Sequence, residues 1–130
     1  MRPLWTSFLF GATGLACGGW LAPALVALMG LSVLNHADSR RLGPRQTALV
    51  RVADRVVAYG IALGSAFEAL TLPPSLPLAG NWACLAWTGG AYFLRSRPLL
   101  AAGRECWETW HASIHVSACL GLLLLKFSSA

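Results

Sequence analysis

The chain has 130 residues, of which 56% are hydrophobic and only 12% charged, with a net charge of +5 and a mean hydropathy of +0.59. A soluble domain of this size carries roughly a quarter charged residues, so this composition argues against one and for a single bundle of helices packed in lipid. The length leaves no room for a second domain, and residues 1–130 read as one all-α transmembrane domain.

In chain order, the apolar segments are about 4–34, 48–72, 78–94 and 106–125, each near the ~20 residues that cross a ~30 Å hydrocarbon core. The first segment is long for one span and short for two. Gly18, Gly19 and Pro23 either kink it or break it, and the reading favoured here is one tilted span. A signal peptide fits less well, because the apolar run continues through Leu34. Between the second and third segments, Pro73, Pro74 and Pro77 force a short turn, since proline lacks an amide donor and crowds the preceding turn. The four cysteines, Cys17, Cys84, Cys106 and Cys119, form no CxxC pair and read as small apolar residues.

The two remaining connections, 38–47 and 95–105, are rich in arginine. In a four-span arrangement Arg40, Arg41, Arg45, Arg51, Arg55, Arg95, Arg97 and Arg104 share one side, with Arg2 and Lys126 on the other. The positive-inside rule makes the arginine side cytoplasmic and both termini external. The positive charge is accounted for by topology and anionic headgroups, with no nucleic acid involved.

Ionisable groups inside spans are costly and default to functional candidates. The chain has three histidines: His36 closes the first span, while His111 and His115 lie four residues apart on one face early in the fourth. Asp54 opens the second span, and Ser32 lies one turn before His36. The alternating directions of the spans bring all five residues to the cytoplasmic side. Three imidazoles suit zinc, leaving a fourth tetrahedral position for water that is activated near neutral pH. Asp54 is then a candidate general base, and Ser32 a partner for the water or oxyanion. The depth of the site points to an amide or ester bond of a membrane lipid. The plainer alternative makes these residues interfacial or interhelix hydrogen-bonding groups, with Asp54 at the positive end of its helix dipole.

The stretches Ser32-Val33-Leu34-Asn35-His36, Arg51-Val52-Ala53-Asp54-Arg55 and His111-Ala112-Ser113-Ile114-His115 resemble the motifs of one superfamily. It joins alkaline ceramidases, progestin and adipoQ receptors, hemolysin III proteins and GPI-processing membrane phospholipases (CREST). Its pattern is Ser-x-x-x-His near the end of one span, Asp at the start of the next and His-x-x-x-His in the last. The resemblance implies His36, His111 and His115 as zinc ligands, Asp54 and Ser32 as the supporting pair, and metal-dependent hydrolysis of lipid amides or esters. The superfamily usually has seven spans; about four fit here, and such a unit admits dimerisation to enclose a lipid.

Glu108, three residues before His111, is a candidate hydrogen-bond partner for that histidine. Trp5, Trp82, Trp107, Trp110 and Tyr92 read as interfacial anchors. Two other classes fit the same pattern: a non-enzymatic structural or assembly subunit of a membrane complex, and a haem-binding membrane subunit with histidine axial ligands.

Overall fold

In the computed structural model, residues 4–37 and 42–130 are described, and every regular element among them is helical. Helices α1 (Leu4–Cys17), α2 (Leu21–Ala37), α3 (Pro44–Thr71), α4 (Leu76–Ala91), α5 (Arg97–Ala101) and α6 (Trp107–Ser128) follow in order, with a π-helical segment, Tyr92–Ser96, joining α4 to α5. Arg2, Asp38, Arg40 and Arg41 lie outside the described residues.

The first apolar segment is a hairpin of two helices, which corrects the expectation of a single span. Gly18 and Gly19 have φ of +67° and +56°. That left-handed conformation ends a right-handed helix and reverses the chain at a position where a Cβ would be penalised. α1 and α2 then pack back to back: a Cβ on Gly14 would stand 3.1 Å from the Leu25 Cβ, and near the open end Ser7 meets Ser32. Lys126 reaches across from α6 to donate to the Cys17 carbonyl, satisfying an acceptor at the end of α1 with a cation where the helix dipole favours one.

The hairpin changes the parity of the bundle. The start of α1 now lies at the same end as the close of α2, the start of α3 and the start of α6, so the chain enters on the arginine-rich end and not opposite it.

α3 begins at Pro44, where Gly43 N–H donates to the Gln46 side chain, and it ends before the proline turn. Ser75 caps α4 by accepting from the Leu78 amide at 3.2 Å. The expected loop at 95–105 begins late: the helix runs on through Tyr92–Ser96 to Ala101. The widened π turn ends two residues before Pro98, where the missing amide and the bulk of the ring fit least well into an α-helical ladder.

α6 packs along α4 and α1, and α2 packs between α1 and α3. Leu25, Leu28, Phe10, Ile61, Cys119 and Leu122 form the main core, with Ala69, Leu78 and Leu125 a second cluster nearer the far end. Gly121 lets α4 approach α6, since a Cβ there would stand 2.9 Å from the Cys84 Cβ. α3 and α4 do not pack together along their length.

Large apolar side chains also cover the outside, among them Leu15, Leu63, Phe67, Leu70, Leu76 and Leu94, each more than 70% exposed. Among the described residues one helix, Trp107–Ser128, is long and apolar enough to cross a membrane; the apolar stretch Leu21–His36 is shorter.

Candidate metal centre

The three histidines meet. The end of α2 supplies His36, and the first turns of α6 supply His111 and His115; one ring nitrogen from each lies within 4.8 Å of the other two. His36 Nε2 and His111 Nε2 are 3.1 Å apart. Two imidazole nitrogens bound tetrahedrally to zinc at ~2.0–2.1 Å stand roughly 3.3–3.4 Å apart, so this pair already has close to the required separation. Three histidines here could bind a metal ion.

Each flanking hydrogen bond has a consequence for ligation. His115 Nδ1 is 2.8 Å from the Thr6 hydroxyl on α1, and both residues are buried. When Nδ1 carries the proton and donates to Thr6 Oγ1, Nε2 keeps its lone pair, and the ring is held in orientation. His111 Nδ1 has a longer contact, 3.4 Å, to Ser96 Oγ in the π segment. Ser96 is only 2% exposed, although arginines flank it on both sides. The π turn places this hydroxyl inside, with Arg95 outside against Trp110 and Arg97 at the exposed edge of the cavity described below. Ser96 is thus a neighbour of His111 on the π segment, in addition to the candidate Glu108 on α6 itself.

Asp54 and Ser32 lie on the walls of the same cavity as the histidines. Asp54 Oδ2 accepts from Asn35 Nδ2 at 3.0 Å, which ties the start of α3 to the residue next to His36. Ser32 is hydrogen-bonded to Ser7 at 2.8 Å. Sequence reasoning missed Thr6, Ser7 and Ser96. With one long first span, residues 6 and 7 fall at the opposite membrane face, so no signal near the histidines could have pointed to them.

Aromatic side chains also border the histidines. Trp107 stacks on His36 with ring centroids 6.4 Å apart and meets His111 edge-on at 5.5 Å, so it is a wall of the site as well as a residue of the helix start. Phe10 covers His115 from the other side at 4.7 Å. Trp110 stacks on Trp87 and lies under Arg95.

The cavity has a volume of about 520 Å³, within the ~300–1,000 Å³ of small-molecule sites. The histidines and Asp54 lie toward the arginine-rich end, and Ile61, Leu85, Ala118 and Leu122 line it deeper in the bundle. Asn81 is on the deep wall: its amide donates to the Gly121 carbonyl at 2.8 Å, while its Oδ1 is buried without a hydrogen-bond partner among the described residues.

No family model, curated protein or solved structure matches the chain.

Proposed function

We propose that the protein is a multi-pass membrane hydrolase that cleaves an amide or ester bond of a membrane lipid, using zinc held by His36, His111 and His115. It is then a shortened relative of the superfamily that its motifs resemble. The observation that carries this reading is the meeting of all three histidines of the chain within one cavity, beside a carboxylate and several hydroxyls.

The membrane part rests on the apolar outer surface. Leucine and phenylalanine side chains exposed around the bundle are costly in water and ordinary in lipid. α1 and the helix running through α4 and α5 pack along α6, and α2 and α3 extend the bundle beside α1; these are the additional crossing segments, with the arginine-rich end facing the cytoplasm together with the N-terminus. The geometry also favours a small ion over haem, because imidazole nitrogens 3.1 Å apart leave no room for a porphyrin between them.

When bound, zinc supplies a Lewis acid for the carbonyl and activates water near neutral pH. The chain's own residues do the rest. Thr6 and Ser96 hold the imidazoles of His115 and His111 with Nε2 free for ligation. Asp54, fixed by Asn35, accepts the proton of the attacking water and returns it to the leaving amine or alcohol. Ser32 can exchange its bond to Ser7 for one to the developing oxyanion. Phe10 and Trp107 wall the imidazoles off from bulk water, which strengthens these interactions.

The test is fatty-acid release from lipid micelles by wild type, Asp54→Asn and His111→Ala, with zinc content read in parallel. The expected result is hydrolysis by wild type, a loss of roughly 10²–10⁴-fold in Asp54→Asn with zinc retained, and loss of both zinc and activity in His111→Ala. A zinc-loaded wild type that hydrolyses no lipid ester or amide would contradict the enzymatic reading.

A further inference from the structure

The arginines at the cytoplasmic end are not equivalent. Arg95 packs on Trp110, and neither Arg45 nor Arg104 lines the cavity. Arg51, Arg55 and Arg97 do line it. Arg51 and Arg55 are one turn apart on α3, on the same helix face. Arg97 starts α5, directly after the π segment that forms the facing wall. Arg55 and Arg97 both lie within electrostatic reach of the Tyr59 hydroxyl, so the cations of the two walls lie on the Tyr59 side of the cavity. All three guanidinium groups are on exposed residues, and none makes an ion pair or hydrogen bond to another described residue.

The same two walls leave a gap. α3 and α4 do not pack along their length, and between them the cavity is bordered by Tyr59 stacked on Phe93 at 6.4 Å and set edge-on to Tyr92 at 6.4 Å. Deeper in, the lining turns to Ala62, Leu85 and Ile61. From the arginine end inward, the cavity therefore runs cationic, then metal-ligating, then apolar. An amphiphile with an anionic head matches that order. Arginine pairs bidentately with phosphate, and three cations that share the cavity with one carboxylate, Asp54, which interacts with Arg55, leave an excess positive charge among the described residues that such a head would balance.

We propose that Arg51, Arg55 and Arg97 form a clamp for the phosphate of a phospholipid whose acyl chains enter between α3 and α4. Its acyl linkage, a few bonds from the phosphate, then lies at the histidines. The proposal rests on the hydrolase reading for what happens at that bond, but phosphate binding itself needs no metal.

The test uses the full-length protein in neutral detergent and measures binding of short-chain phosphatidic acid against diacylglycerol with the same chains. Wild type is expected to bind the phosphatidic acid at least tenfold more tightly. The double variant Arg55→Gln/Arg97→Gln is expected to lose that preference with zinc content unchanged, while Arg45→Gln/Arg104→Gln, which removes equal charge away from the cavity, keeps it. Equal losses in both double variants would overturn the clamp, leaving only diffuse attraction. Displacement of the lipid by millimolar inorganic phosphate would overturn the assignment to a lipid headgroup in favour of a free-phosphate site. Persistence of the phosphate preference in His111→Ala would support the clamp even if hydrolysis and metal binding both failed, which separates the two readings.

Discussion

Replacing Thr6 by valine tests the site at a residue no motif contains. The two side chains have nearly the same shape, Thr6 is fully buried, and its hydroxyl is 2.8 Å from His115 Nδ1. Thr6→Val therefore leaves packing in place and removes a polar partner of the imidazole. Removing the hydrogen-bond partner of a ligating histidine typically weakens metal binding about 10–100-fold, or about 1.4–2.7 kcal/mol. A competition titration of the detergent-solubilised protein against a chromophoric zinc chelator reads this directly. Thr13→Val, a buried threonine on the same helix that does not line the cavity, serves as the control and is expected to leave affinity unchanged. An unchanged zinc affinity in Thr6→Val, with binding abolished in His115→Ala, would refute the argument that α1 folds back to orient His115.

Two further outcomes follow from the hairpin. Reporter fusions should place the N-terminus on the same side of the membrane as the 38–43 connection and the C-terminus on the opposite side; both termini on one side would restore the single-span reading. Gly18→Ala combined with Gly19→Ala forces two L-residues into positive φ, at a cost of about 1–2 kcal/mol each, and should lower the midpoint of unfolding in a denaturing-detergent titration, whereas Gly60→Ala, where a Cβ meets open space, should not.

The histidine cluster was legible because its logic is one-dimensional. His-x-x-x-His fixes a helical face, alternating span direction fixes an end, and only three histidines were available to converge. Asp54 was found by the same reasoning, as a carboxylate where a span begins. What failed was the count of helices in the first segment, because Gly18-Gly19 is compatible with a kink or a reversal and hydropathy does not distinguish them. That error hid Thr6 and Ser7, whose significance depends wholly on the chain turning back. Ser96 was hidden for another reason: a π turn shifts the facing of residues after it, so its burial among arginines cannot be read from a 3.6-residue period. The arginines themselves looked uniform along the chain, and only their placement around the cavity separates Arg51, Arg55 and Arg97 from Arg45, Arg95 and Arg104, which do not line it.

The most direct test of the central claim is the metal content of the chelator-free, detergent-purified protein by elemental mass spectrometry, with His36→Ala and His111→Ala measured beside wild type. About one zinc per chain is expected in wild type, falling toward zero in both variants, since three ligands of a four-coordinate site cannot lose one without a large fall in affinity. A folded wild type that takes up no metal when zinc is supplied, or one whose zinc survives both substitutions, would contradict the account.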